Sequence, residues 1–442
     1  MIQTKTEVID LIYSSYNQAK QHTNTPLRIQ KYARKLLDAI GKPDANKNIV
    51  LVTGSKGKGS TASFIASLLQ TLGFKTGLFT SPHYFSFNER IQVNGRSITD
   101  NDFVRLANDV APYVANFSSR LQHNEYVGPI AINLAIALLY FSEKKVDFII
   151  LEAGKGGKDD DTNVVSNGWS VITPILDEHI DELGPTLSHI IAHKLGIIKN
   201  HSKALISKQQ KEVLKELNSF LNQRKNVTMY GEDFSVWRAS VTDEGMEFDF
   251  QTKRAIYRNA WVPLLGTFQC ENIALAVQTC EDIIQKPIEQ SIVHNWLHSL
   301  KNIGRCELLQ TEPVVITDAT INRYSADYLK EIVTHFSPKF PVAILGLSSD
   351  KDYKGIINSI QPFIKELFIS QPVNAYKSFA LDDVYRYSSK LIQTHIFTSP
   401  EKALASVLHD KKYDFVFILG NHSFIAEIQH FFKMNKHLLS LT

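Results

Sequence analysis

The sequence predicts an α/β protein with a mainly parallel sheet, followed by a second, smaller α/β domain after about residue 301. Two observations carry this. Short β-branched runs alternate with helical patterns, which is how strands joined by crossover helices read. The alternation lapses after about residue 227 and restarts after 301. In the first stretch, strands are expected at 49–53, 76–80, 146–152, 170–173 and 204–207, with a helix over 59–72. The middle reads as a small antiparallel excursion, with strands at 234–241 and 246–251 around Asp243-Glu244-Gly245. A helical stretch over 269–301 follows. Strands are then expected at 314–317, 342–346, 367–370, 395–398 and 415–420.

Bulk properties narrow the function classes. With 442 residues, two or three domains are expected at roughly 100–200 residues each. Lys+Arg 48 against Asp+Glu 45 leaves a formal charge of +3, too balanced to argue for a nucleic-acid partner. The three cysteines, Cys270, Cys280 and Cys306, form no CxxC pair. Neither a zinc knuckle nor a disulfide framework is therefore indicated. The N-terminus lacks the apolar core of a signal peptide. The longest apolar run, 127–141, holds Asn133 and falls short of the roughly 20 residues that span a bilayer, so it reads as a buried core helix. A cytoplasmic monomer working on small molecules, away from membranes and nucleic acid, is expected.

The most informative segment is Ile49-Val-Leu-Val-Thr followed by Gly54-Ser55-Lys56-Gly57-Lys58-Gly59-Ser60-Thr61. A buried strand enters a glycine-rich turn, and a helix follows. Glycines let backbone N–H groups converge on phosphate oxygens, and the helix N-terminus adds positive potential. Lys58 has the reach for β/γ-phosphates, and Ser60 or Thr61 the hydroxyl for Mg²⁺. The spacing departs from G-x-x-x-x-G-K-[ST], because Gly59 separates the lysine from Ser60. The plainer reading, a turn that merely joins two elements, leaves the ordered lysine and hydroxyls unexplained. Farther on, the strand over 146–152 ends on Glu152. An acidic group at the carboxyl end of a parallel strand beside a phosphate loop suits a Mg²⁺ ligand.

Folate-pathway ligases carry a loop of the form G-T-N-G-K-G-S, which the 54–60 segment resembles. Ser81-Pro82-His83 with Glu89-Arg90-Ile91-Gln92-Val93-Asn94-Gly95 is similar to their S-P-H-x-x-x-x-x-E-R-I-x-V-N-G. Glu152 through Asn163 resembles E-x-G-x-G-G-[RK]-x-D-x-T-N. Asp177-Glu178-His179 through Gly184 resembles D-H-x-x-x-L-G, with Glu178 inserted before the histidine. Lys194 through Lys199 resembles K-x-G-I-I-K. The chain thus resembles the folylpolyglutamate synthase/dihydrofolate synthase family of the Mur ligase superfamily, over about residues 25–427.

The resemblance implies a P-loop N-terminal domain, 1–300, and a smaller Rossmann-like C-terminal ligase domain, 301–442. It implies ATP and Mg²⁺, the nucleotide phosphates lying on Gly54, Gly57, Lys58, Gly59, Ser60 and Thr61. Ser60, Glu152 and His179 would hold the metal, and Lys194 would carry a carbamate. Lys58, His179 and Lys194 would serve catalysis. Ser81, His83, Glu89 and Arg90 would lie beside the pterin-carrying substrate.

In the later part, Gly266-Thr267-Phe268-Gln269 through Asn272 resembles G-x-H-Q-x-x-N, so Gln269 and Asn272 would approach the base, with Phe268 in place of histidine. Gly304-Arg305-Cys306-Glu307 resembles G-R-x-E, so Arg305 would reach the phosphates. Asp318 through Asn322 resembles D-G-A-H-N. Asp318 would accept from the ribose, Asn322 would face substrate, and Ile321 stands where the family has histidine. Asp350-Lys351-Asp352 matches D-K-D, and Gly420 through Phe424 resembles the final G-S-[LF] turn.

The implied reaction joins an acid to an amino acid through an acyl phosphate, with L-glutamate and a pteroate or folate as the pair. Two readings compete: a sister ligase with another acid or amine, and a nucleotide-binding homologue without catalysis. If glutamate meets Ile321, a missing charge-assisted hydrogen bond of roughly 1.5–3 kcal/mol weakens it, and Ile321→His is expected to help.

Overall fold

The computed structural model describes residues 1–178, 180–221, 226–301, 303–319, 321–322, 326–349, 351–371 and 380–434. These form two compact units. The first takes Met1–Ser235, Phe250–Ile256 and Glu271–Val293; the second takes Val236–Asp249, Tyr257–Cys270 and His294–Thr442.

The first unit is built on an eight-stranded sheet in the order 227–229, 203–206, 169–172, 48–53, 148–152, 76–79, 91–93, 96–97. The first six strands pair in parallel and the last two antiparallel. Ile49, Val50, Leu51 and Val52 are fully buried, as a strand covered on both faces requires. The strand Phe148–Glu152 starts two residues later than expected. Asp147 is used instead as a clamp, its carboxylate accepting from Lys75 N at 2.7 Å. The apolar run of 127–141 forms the helix Pro129–Glu143, buried from Ala131 to Leu138. Among the described residues no helix is long and apolar enough to cross a membrane.

The middle excursion is a three-stranded sheet, Ser235–Thr242, Gly245–Gln251 and Ile256–Val262 in that order. Its third strand was not anticipated. The expected single helical stretch over 269–301 is two helices, Thr267–Ile284 and Gln290–Ser299. The break falls at Gln285, with φ 56°, and at Pro287, which lacks the N–H a helix interior needs.

The second unit carries a six-stranded sheet in the order 305–311, 314–318, 415–420, 341–346, 366–369, 393–396. The first strand is antiparallel and the rest are parallel. Sequence reading missed Arg305–Thr311 as a strand. Its pairing is irregular at two points, and Cys306 sits at φ 49°, so no clean alternation marks it. The strand expected at 395–398 lies two residues earlier, at Gln393–Ile396. There His395 stacks on Phe368 at 4.8 Å and meets the Glu366 carboxylate at 2.7 Å.

Candidate functional site

In the first unit, the loops that follow the parallel strands meet at the carboxyl ends of those strands, where open α/β sheets bind ligands. Asn48–Thr53 runs into the loop 54–57, and the helix Lys58–Thr71 begins there. Gly54 has φ 143° and Gly57 φ 80°. A Cβ at Gly54 would overlap the Thr173 hydroxyl, and one at Gly57 would lie 2.6 Å from Asn272 Oδ1. Both glycines are therefore required by backbone conformation and by space. Asn272 is thereby placed beside the loop.

Lys58 Nζ donates to Gly54 O at 3.1 Å and to Ser55 O at 3.3 Å. Its charge sits over the helix N-terminus. The Ser55 hydroxyl accepts from Leu176 N at 2.9 Å, which ties the loop to the segment after Trp169–Ile172. Ser60 and Thr61 lie in the first helical turn and are buried, Thr61 with its hydroxyl unpartnered among the described residues.

Glu152 ends its strand as expected and is 5% exposed. It accepts from Ser81 N at 3.0 Å. A Cβ built on Gly59 would lie 3.3 Å from its Oε2, so the carboxylate adjoins the residue before Ser60. A buried carboxylate supplies hard oxygen donors of the kind Mg²⁺ takes. His179 lies outside the described residues.

Lys194 reaches this loop from 140 residues away, donating Nζ to Gly54 O at 2.8 Å. It is 1% exposed, and Glu178 lies 3.8 Å from it. Burial, reinforced by the charge of Lys58 and opposed by Glu178, pushes its amine down to about 7. Lys58 and Lys194 therefore share one carbonyl oxygen.

The segment after Thr76–Phe79 also belongs here. Glu89 accepts from the backbone N–H groups of Tyr84, Phe85 and Ser86 at 2.8, 3.1 and 2.8 Å, so its carboxylate shapes the loop. Arg90 Nε donates to His83 Nδ1 at 3.1 Å, and its guanidinium lies 4.3 Å from the Phe87 ring centroid. Burial, then the Arg90 charge, lowers His83 to about 4, so the imidazole is neutral at physiological pH.

Asp161 is a group that sequence reading passed over. It is 1% exposed, and the nearest Arg28 nitrogen is 3.8 Å away. Burial raises it to about 7. A carboxyl raised in the folded state is stable when protonated and loses that stability as pH rises through the folded value. Asp161→Asn is therefore expected to raise the melting temperature at about pH 8 and leave it unchanged at about pH 4. Thermal denaturation at both pH values checks this; an equal shift at both would refer the effect to packing.

In the second unit, Arg305 and Asp318 face each other across paired strands. Gln269 is fully buried and donates Nε2 to Arg305 O at 3.3 Å. Arg305 Nη2 meets His422 Nε2 at 3.0 Å, while its Nη1 is buried without a hydrogen-bond partner among the described residues. The Cys306 thiol donates to Asp318 Oδ2 at 3.2 Å. Asn322 follows, partly exposed. Asp350 lies outside the described residues, and Asp352 caps the helix Tyr353–Ile360 through Gly355 N.

The two apolar replacements have a common explanation. Ile321 is 3% exposed and belongs to the apolar core of the second unit. Phe268 packs against that core, its ring 4.5 Å from the ring of Tyr328. The expectation that Ile321→His helps glutamate binding is therefore corrected: an imidazole there would be placed among apolar side chains. Ile321→His is expected to cost stability by about 2–4 kcal/mol with no gain in glutamate affinity. Urea denaturation and glutamate titration check the two halves separately.

Sequence reading also missed Glu178 and His422 as partners. Glu178 was visible as an insertion before His179, and His422 lies within the 420–424 segment that resembles the family's final turn.

Residues 52–280 match the Mur ligase middle domain. A Bacillus subtilis dihydrofolate synthase/folylpolyglutamate synthase is 30% identical over 406 residues, covering 90% of this chain and 93% of that protein. The Mycobacterium tuberculosis protein of the same description is 28% identical over 352 residues, covering 76% and 72%. The crystal structure of M. tuberculosis folylpolyglutamate synthase complexed with ADP and AMPPCP superposes with a TM-score of 0.84 at 24% identity, covering 95% of this chain and 99% of that one. That likeness shows the shared fold.

Proposed function

The chain belongs to the dihydrofolate synthase/folylpolyglutamate synthase family of Mur ligases and is an ATP-dependent acid–amino-acid ligase; we propose that it adds L-glutamate to a pteroate or folate. The observation that carries the ligase chemistry is the pair of lysines on the Gly54 carbonyl beside a glycine loop. The functional division we propose is an ATP-binding domain, 1–300, and a ligase domain, 301–442.

The substrate carboxylate oxygen attacks the γ-phosphorus of ATP, and the bond to the β-phosphate oxygen breaks, giving ADP and an acyl phosphate. Lys58 and the loop N–H groups stabilise the charge on the transferring phosphoryl. The amine then attacks the acyl carbon, phosphate leaves, and the nitrogen loses a proton. Ser60 and Glu152 would hold Mg²⁺, with His179 as the third ligand; when bound, the metal neutralises phosphate charge. Gln269 and Asn272 serve the base, Asp318 the ribose and Arg305 the phosphates. Ser81, His83, Glu89, Arg90 and Asn322 serve the acid and amine side. Lys194 acts as a carbamate. The protein works as a cytoplasmic monomer.

The relatives' names support folate and glutamate. The loop departures Ser55 and Lys56 favour a second reading, a sister ligase with another acid or amine. ADP formation that requires both dihydropteroate and L-glutamate would establish the first. No ADP with that pair, and turnover with another acid and amine, would establish the second.

A further inference from the structure

We propose that His422 is a positioning residue for Arg305, holding one edge of the guanidinium so that the other edge presents a donor to a phosphate oxygen. The inference rests on the reading of Arg305 as a phosphate-contacting residue.

Arginine has donors only, so in the 3.0 Å contact the His422 Nε2 must be the acceptor. That makes the imidazole neutral, with its proton on Nδ1. The acceptor stands on a rigid base. His422 opens the helix Pro-free from His422 to Met434, directly after the strand Phe415–Gly420. Asn421 caps that helix, accepting from Phe424 N and from the Ser423 hydroxyl, both at 2.9 Å. The backbone of Arg305 is held as well, its carbonyl accepting from the buried Gln269. Both ends of a long, rotamer-rich side chain are thus restrained before any ligand arrives, which lowers the entropy lost on binding.

The remaining terminal nitrogen gives the arrangement its direction. Arg305 Nη1 is buried and has no hydrogen-bond partner among the described residues. A buried charged donor without an acceptor is costly, and an anionic oxygen removes that cost. The location fits. Asp318 pairs with Arg305 on one side and with Leu419 on the other. Arg305, Asp318 and His422 therefore gather at the carboxyl edge of the parallel strands, the edge at which open α/β sheets bind ligands. A histidine that merely filled space would need no acceptor aimed at the guanidinium.

The test is nucleotide binding by calorimetry with ATP in the whole protein, together with melting temperatures without nucleotide. His422→Leu is expected to weaken ATP binding about ten-fold with an unchanged melting temperature, the size of one lost charge-assisted contact. His422→Gln retains an acceptor and should recover to within about three-fold. In an Arg305→Ala background, His422→Leu should add nothing, because the two residues act as a unit. Equal losses for leucine and glutamine, additivity with Arg305→Ala, or no loss with leucine would each overturn the proposal. If Arg305→Ala alone leaves ATP binding intact, the phosphate reading of Arg305 fails and takes this inference with it. A loss with Arg305→Ala and none with His422→Leu sinks the inference alone.

Discussion

Lys58→Ala is expected to lower kcat by about a thousand-fold, near 4 kcal/mol of transition-state stabilisation. The charge that Lys58 brings stands on a loop with two positive-φ glycines, at the N-terminus of the helix Lys58–Thr71. Its ammonium is already bonded to Gly54 O and Ser55 O, so little rearrangement is needed for it to meet a phosphate oxygen. Lys194 shares the Gly54 carbonyl but is fully buried and partly neutral near pH 7, which makes it a poor substitute. Lys58→Arg would keep the charge while enlarging the head, and should recover only a small part of the rate. ADP release at saturating ATP measures this directly. Near-normal turnover in Lys58→Ala would remove Lys58 from the chemistry.

The second large effect concerns Lys194, whose removal should abolish activity while stabilising the fold. Its amine is lowered to about 7, first by burial and then by Lys58. The folded protein therefore binds fewer protons here than the unfolded chain between about 7 and the ordinary lysine value. The cost to stability is full below about pH 7 and fades as pH rises toward that ordinary value. Lys194→Met keeps volume and drops the charge. Its melting temperature should exceed that of the parent, more at about pH 6 than at about pH 9. The same lowered value leaves a sizeable neutral fraction at physiological pH. That is the form that attacks CO₂, giving a carbamate and releasing one proton. Activity of the parent should then fall when dissolved CO₂ is stripped and return with bicarbonate, while Lys194→Ala stays inactive in both. Indifference of the parent to CO₂ would leave Lys194 as an amine. A stability gain that does not vary with pH would show that its burial costs little.

The parts of the site legible in the sequence were those whose cause is local. A glycine that must take φ 80° or 143° has few substitutes, and a strand buried on both faces is apolar throughout. The loop 54–61, the strand ending on Glu152 and the buried helix Pro129–Glu143 could therefore be placed without coordinates. The Pro287 break inside an expected helical stretch was equally local; its signal was present and was outweighed by the surrounding helical pattern.

The sequence by itself thus determined an α/β fold with a phosphate loop and the order of its acidic and basic partners. Tertiary structure decided which distant groups share an environment. It brought Lys194 to Gly54 across 140 residues, left Asp161 buried, put Ile321 in an apolar core and set His422 against Arg305. The physical reason is that desolvation and hydrogen-bond pairing depend on every chain segment that closes around a group. Parallel strands gather loops from remote parts of the chain at one edge, so those neighbours are settled by sheet order and register rather than by spacing along the sequence.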